Sequence, residues 1–334
     1  MTSFTYSAGP TRVVFGVGTL TALADEVRAL DGSRVLLIGG GRRAQAVSPL
    51  GSLLAAEFSG PAMHTPVEVT EKALAVLREH DVDCLVAVGG GSAIGLAKAL
   101  ALRTDLPQVV VPTTYAGSEA TPVLGQTADG RKTTLRSAAV LPETIVYDVG
   151  LTLDLPVGMS VTSGINAMAH AVEALYSPDA NPVTDLLALD AIRRLADALP
   201  KINADPKDPA ARSNALQAAW LAGTCLSTVR MGLHHKLCHA LGGSFGLPHA
   251  ETHTVVLPHV MATQSPEAMA RVALALGVSD AATGVYDLVV QLGGPTDLRD
   301  LGLAESDIDS VDADPGVRAL LREAWSGTRP QQHR

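Results

Sequence analysis

The chain is short of the features that would place it quickly. Cysteine is scarce: 334 residues hold three, Cys84, Cys225 and Cys238. They are odd in number, far apart and set among apolar residues. That argues against a disulfide framework and fits core thiols in a reducing compartment. Positive charge is short as well: 25 Lys and Arg against 34 Asp and Glu leave −9, the wrong sign for holding nucleic acid by its phosphates. No uncharged apolar run approaches the ~20 residues of a membrane span. The opening M-T-S-F-T-Y-S-A-G-P has neither the basic nor the apolar region of a secretory leader. The expectation is a cytoplasmic protein with no membrane and no nucleic-acid partner. Apolar residues make up 47% and charged residues 18%, a globular composition, and the length suits two domains.

The first half alternates short apolar runs with helix-like stretches. Strands are predicted at 12–15, 34–38, 84–88, 108–111 and 144–147, helices at 19–30, 70–80 and 92–103. Strands apolar on both faces, separated by amphipathic helices, indicate a parallel sheet covered on both sides. After about residue 150 the β signal almost vanishes. Helices are predicted at 160–176, 183–199, 209–226, 230–243, 264–276, 280–292 and 315–325, parted by Pro and Asn clusters. The expected organisation is an α/β domain over 1–152 and an all-helical domain over 153–334.

Two glycine-bearing segments in the first half suit a dinucleotide. Gly89-Gly90-Gly91-Ser92 ends one strand and opens a helix, with Ser92 expected as its N-cap. There, backbone N–H groups and the positive helix end can hold a pyrophosphate. The strict G-x-G-x-x-G spacing is not met, because Ile94 stands where its last Gly would be. A tight strand-to-helix turn would use the same glycines. After the next strand come Thr113, Thr114, Tyr115 and Ser118, whose hydroxyls suit phosphate or ribose. Gly39, Gly40 and Gly41 end an earlier strand and are placed at the adenosine ribose, followed by Arg42 and Arg43. If those arginines face the ribose, a 2′-phosphate is tolerated; otherwise they are solvated surface.

Histidine is what this chain has in one place. Seven of its ten histidines lie between residues 170 and 259. His235 and His239 form one i,i+4 pair and His249 and His253 another, so on helices each pair shares a face. His170 lies upstream in N-A-M-A-H-A. Such a cluster is a metal site or a proton-handling pocket. His234 and His259 are read as structural; His64, His80 and His333 lie outside the cluster and take no role.

With G-G-G-S-x-x-x-x-x-K, P-T-T-x-x-G-S-E and the histidine block in that order, the chain resembles the iron-containing alcohol dehydrogenase family, with its dehydroquinate synthase-like fold, from about residue 10 to 325. Within that family it looks most like the maleylacetate reductases. The strings that carry this are P-T-T-Y-A-G-S-E-A-T-P, N-A-M-A-H-A-V-E-A-L-Y-S-P-D-A-N-P and M-G-L-H-H-K-L-C-H-A-L-G-G-S-F-G-L-P-H-A-E-T-H.

The resemblance implies an oxidoreductase using NADH or NADPH, a homodimer, and an active site in a cleft between the two domains. Metal-using members hold a divalent ion through one Asp and three His. Those positions here are Asn166, His170, His235 and His249, and a histidine beside the nicotinamide corresponds to His239. The anionic ligand is lost, and a neutral amide is a poor substitute on Fe²⁺ or Zn²⁺. Three imidazoles can still hold Zn²⁺, but no metal is expected. Gly95 stands where the wider family commonly has an Asp.

The implied reaction is reduction of the C=C bond of maleylacetate to 3-oxoadipate. A conjugated ketone lets hydride addition leave an enolate, which hydrogen-bond donors can stabilise without a metal. The dicarboxylate substrate is expected to meet cationic histidines, with Arg230 or Lys236. His170, His235 and His249 are assigned to substrate and oxyanion, and His239 to the nicotinamide side or proton delivery. Asn166, His253 and Lys236 are secondary substrate contacts. The alternatives are a metal-dependent alcohol dehydrogenase, a reductase of another unsaturated oxo-acid and a catalytically idle homologue.

Overall fold

A computed structural model describes residues 4–7, 9–128 and 131–331; His333 lies outside them. The chain divides into two compact units at Leu155/Pro156, with the residues before Ala8 grouped in the second.

The first unit is built on six parallel strands. They are β1 (Arg12–Gly16), β2 (Val35–Gly39), β3 (Leu54–Phe58), β4 (Cys84–Gly89), β5 (Gln108–Pro112) and β8 (Thr144–Asp148), in the order β1-β8-β5-β4-β2-β3. The strands β6 (Val123–Ala128) and β7 (Arg131–Arg136) form a separate antiparallel pair. The helices are α1 (Leu23–Arg28), α2 (Ala44–Leu50), α3 (Val67–Glu79) and α4 (Gly91–Thr104). Every residue of β2, β5 and β8 is buried, because helices cover both faces of a parallel sheet. Five of the six sheet strands follow the apolar runs. The sixth, β3, and the β6–β7 pair were not expected. The first is a short, half-buried edge strand carrying Glu57, and the pair is largely polar.

The register sets the two glycine turns beside the threonine segment. Gly39 pairs with Val88, and Gly89 pairs with Pro112, so three adjacent strands end together at the carboxyl edge. Open α/β sheets bind ligands along that edge.

The second unit is helical: α5 (Val157–Ala174), α6 (Pro182–Ala204), α7 (Pro209–Thr228), α8 (Leu233–Phe245), α9 (His249–Met261), α10 (Pro266–Leu276), α11 (Ala281–Gln291) and α12 (Pro315–Ser326). Four of them start the same way, with proline in the first turn and a capping side chain before it. Asn181, Asp208, Ser265 and Asp314 each accept from backbone N–H groups of the turn that follows. Helix α9 was not among the expected helices, because its Thr-Val-Val run and Pro258 read against one. It is enclosed by α5, α8, α11 and α12, and every residue from Thr252 to Met261 is buried. Tertiary burial overrides propensity there.

The stretch Pro266–Gln291 is long and apolar enough to cross a membrane by length and composition alone, its most apolar 18 residues having a mean hydropathy of 1.4. It is not the uncharged run that the sequence was found to lack, since it carries Glu267, Arg271, Asp280 and Asp287. The stretch is two helices, however, broken where Gly277 turns left-handed at φ +74°.

The charged residues of the two nucleotide motifs turn inward. Lys98, on α4, is fully buried and donates to the carbonyls of Ser118 (2.7 Å), Thr121 (2.7 Å) and Val123 (3.1 Å) and to Thr121 Oγ1 (3.1 Å). Burial pushes its ammonium down to about 7, partly offset by Glu119. Glu119 accepts from Tyr147 Oη at 2.9 Å, and burial raises its carboxyl. Lys98 thus fastens the threonine segment to α4, and Glu119 ties it to Tyr147 on β8. Lys98→Met is expected to cost on the order of 3 kcal/mol, since it strands three buried carbonyls. Urea unfolding followed by circular dichroism checks this; an unchanged midpoint would show that the lysine fastens nothing.

Candidate active site

In the first unit the glycine turns offer bare backbone. Helix α4 begins at Gly91 with Gly90 as N-cap and no side-chain cap, which corrects the expectation for Ser92. The strand runs straight into the helix, so the serine falls inside the first turn. The initial N–H groups of α4 are thus left for an anion. A Cβ added at Gly40, Gly41 or Gly91 would meet nothing within 4 Å, whereas one at Gly90 would lie 2.9 Å from Thr114 Cγ2. The two segments expected to share the ligand therefore touch. Thr113 is buried and donates its N–H to the Gly89 carbonyl at 3.0 Å. Tyr115 is fully buried, main chain included, so it backs the segment from inside rather than meeting the nucleotide, which corrects its expected role. Ser118 is half-buried and its carbonyl is taken by Lys98. Arg43 is committed to Glu57 (2.8 Å) and to the Gly40 carbonyl (3.1 Å), so it braces the turn. These residues fit the phosphates and ribose of a dinucleotide.

In the second unit six imidazoles gather from three helices. Helix α5 carries Asn166, His170 and Glu173, four and then three residues apart on one buried face. Helix α8 carries His234, His235 and His239, and α9 carries His249 and His253. The His170 and His235 rings stack at 4.9 Å. His235 lies 4.9 Å from His253, His253 lies 4.4 Å from His249, and His249 lies 6.1 Å from His239. His170, His234, His235 and His253 are buried; His239 and His249 are partly exposed. The group thus runs from a closed end to an open one. His234, expected to be structural, belongs to it, with Nε2 2.9 Å from His253 Nδ1. His259 is buried apart from these contacts. Lys236 is exposed on α8. Arg230 is taken by Asp179 through Nε (2.8 Å) and Nη2 (2.9 Å), which corrects its expected role on the substrate.

Glu173 was not singled out in the sequence, although it stands three residues beyond His170. Its carboxylate is fully buried and accepts from His235 Nδ1 (2.5 Å), the Gly232 N–H (3.0 Å), the His234 N–H (2.8 Å) and Tyr176 Oη (3.3 Å). Burial pushes this carboxyl up; the hydrogen bond and charge from His235, with His234 and the Gly232 N–H, prevail and hold it at about 2.

Three of the clustered imidazoles are not the cations expected. Burial, then the neighbouring rings, hold His170 and His253 well below the ordinary histidine range and His234 at about 3. Near neutrality these three act as neutral N–H donors and acceptors. Asn166 Oδ1, His170 Nδ1, His235 Nε2 and His253 Nε2 are buried with no protein partner among the described residues. Buried polar atoms normally have partners, so these mark where a polar ligand would sit.

The metal that the resemblance suggests fits this set poorly. The four positions Asn166, His170, His235 and His249 contain no anion. Among the described residues, the trio of His, Cys, Asp or Glu whose ligand atoms lie within 4.8 Å of one another is His234, Cys238 and His253. His170, His235 and His249 are not such a trio. Neutral donors that do not converge are weak ligands for a hard divalent ion.

The buried rings make stability depend on pH. A histidine held below its unfolded value binds fewer protons folded than unfolded, so stability falls as pH drops through that unfolded value, ~6.5. His170, His234, His253 and His259, the last pushed down to about 4 by burial, all act in this direction. Each contributes a loss of up to about 1.4 kcal/mol per pH unit below that point. The urea midpoint is expected to drop steadily from pH 7 to pH 5; a flat profile would mean that the rings already carry protons when folded.

Comparison with known proteins agrees with this geometry. Residues 10–149 match the model described as iron-containing alcohol dehydrogenase, and residues 160–332 match the C-terminal model of the Fe-containing alcohol dehydrogenase family. Maleylacetate reductase 1 of Rhodococcus opacus is 50% identical, covering 98% of each chain. The maleylacetate reductase of Sphingobium indicum is 51% identical, over 98% of this chain and 99% of its own. Among solved structures, maleylacetate reductase from a Rhizobium strain superposes with a TM-score of 0.92 at 48% identity, over 99% of this chain and 100% of its own. A structure described as an alcohol dehydrogenase from Ralstonia eutropha gives 0.97 at 47%, with the same coverage. The chain belongs to the iron-containing alcohol dehydrogenase family.

Proposed function

We propose that this protein reduces the C=C bond of maleylacetate, giving 3-oxoadipate, with NADH or NADPH as the reductant. The observation that carries the reading is a buried set of imidazoles with unpartnered nitrogens, in a chain half identical along its length to a maleylacetate reductase. The nicotinamide, when bound, supplies hydride to the alkene carbon β to the ketone. The chain's own task is then to hold the enolate charge and return a proton to the α carbon.

Burial suits that task. N–H donors already in place cost no reorganisation when charge develops, and a low-dielectric surrounding strengthens them. His170, with Asn166 on the same helix α5, supplies the enclosed part of the donor set, and His235, whose Nδ1 is taken by Glu173, joins it when its Nε2 carries a proton. His249 and His253 complete the contacts to the substrate. His239, half-exposed at the open end, is assigned to the nicotinamide side or to proton delivery. Because Arg230 is paired and several rings are neutral, the two carboxylates are recognised mainly through hydrogen bonds, with exposed Lys236 as the nearby cation.

No step in this scheme calls on a metal. The reading is supported by the missing anion at Asn166 and by a conjugated substrate that spreads its developing charge. Purified protein is expected to oxidise NADH on addition of maleylacetate and to keep its rate in EDTA. No oxidation with either nicotinamide would refute the reduction, and loss of activity to chelator alone would restore the metal. Asn166→Asp gives a sharper test. It is expected to raise Zn²⁺ affinity at least about tenfold, measured by calorimetry, because a carboxylate adds the charge that the set lacks. Unchanged affinity would mean that ring placement, not charge, excludes the ion.

A further inference from the structure

We propose that Glu173 is a positioning residue for the reaction, supplying from behind His235 the negative charge that position 166 lacks. This rests on the reduction proposed above. Helix α5 presents Asn166, His170 and Glu173 in that order along one face, so the anion sits two turns from the amide. One oxygen, Oε2, takes His235 Nδ1 and the Gly232 N–H; the other, Oε1, takes the His234 N–H and Tyr176 Oη. A ring held by Nδ1 has its opposite nitrogen fixed in direction. That nitrogen, Nε2, is buried among the imidazoles with no protein partner. A carboxylate on Nδ1 orients the ring, selects the Nδ1–H form and balances positive charge whenever Nε2 also carries a proton.

A bland role competes with this one. Glu173 sits at the start of α8, whose N-cap Gly232 has no side-chain cap of its own, so the carboxylate also caps that helix. Gly232 permits the approach, because a Cβ there would lie 3.0 Å from Oε1. A cap needs acceptor oxygens for the Gly232 and His234 N–H groups, of which a glutamine keeps one. Positioning His235 needs the charge as well, and the two roles separate on that point.

A second observation makes the proposal open to test. Glu173 lines a pocket of ≈ 260 Å³ together with Tyr176, Ser177, Arg230, Gly232 and Lys236. Shortening the side chain would join the vacated space to that pocket. Exposed Lys236 in its lining favours entry of a small anion such as formate.

The experiment compares wild type, Glu173→Gln and Glu173→Ala with maleylacetate and NADH. Glu173→Gln keeps an acceptor oxygen for α8 but loses the charge. Its kcat is expected to fall about 100-fold, with NADH affinity within twofold of wild type and the protein still folded, its melting temperature lowered by the one backbone N–H left without an acceptor. In Glu173→Ala, formate is expected to restore kcat at least about tenfold and saturably, while chloride does not. A Glu173→Gln enzyme with more than a third of wild-type kcat reduces the residue to a cap and overturns the proposal. So does a folded, NADH-binding Glu173→Ala enzyme that formate leaves inert. If Glu173→Ala does not fold, Glu173→Gln alone decides. A wild-type enzyme inactive on maleylacetate refutes the reduction instead, which keeps the two failures apart.

Discussion

The helical unit is organised around a carboxylate with no access to water. An ionised Glu buried without partners would be untenable, and the fold answers with two backbone N–H groups, a phenol and an imidazole. Meeting that demand places the start of α8 against α5. With α8 so placed, His234 and His235 point in different directions, their rings nearly perpendicular at 83°. One reaches His253 on α9 and the other stacks on His170. The constellation of rings thus follows from how one charge is satisfied.

The α/β unit solves a different problem with the same economy. A phosphate needs exposed N–H groups at a helix start, and a folded chain needs that helix held. The glycines of the turn meet the first need. The second falls to Lys98 and Glu119, which carry the motif's charge yet are both fully enclosed. Their inward orientation shows that a charge beside a ligand loop can serve the scaffold rather than the ligand.

How far the sequence can be read varies by element. Strands β2, β4, β5 and β8 are legible because both faces are apolar and a glycine, proline or aspartate ends each run. The edge strand β3 is not, since a five-residue segment containing Glu57 has no distinctive period. Helix α9 is hidden by β-branched residues and Pro258, and only its enclosure makes it a helix. In the site, the i,i+4 spacing announced the histidine pairs, and the hydrogen bond between His234 and His253 could not be inferred from spacing at all. Glu173 was legible in principle: a carboxylate within an otherwise uncharged helix needs a partner inside the protein. The neutrality of His170, His234 and His253 is not legible in spacing, because desolvation depends on burial that spacing does not report.

The glycine turns differ sharply in how much alteration they can absorb. At Gly39 an added methyl would come within 2.3 Å of the Val88 carbonyl, and at Gly90 it would press on Thr114. At Gly40 and Gly41 nothing stands nearby. Evolution, or an engineer seeking a different nucleotide preference, therefore has latitude at residues 40 and 41 and almost none at 39 or 90. Diversity among descendants of this chain should accumulate at residues 40, 41 and 91, while 39 and 90 stay frozen, the latter together with its threonine.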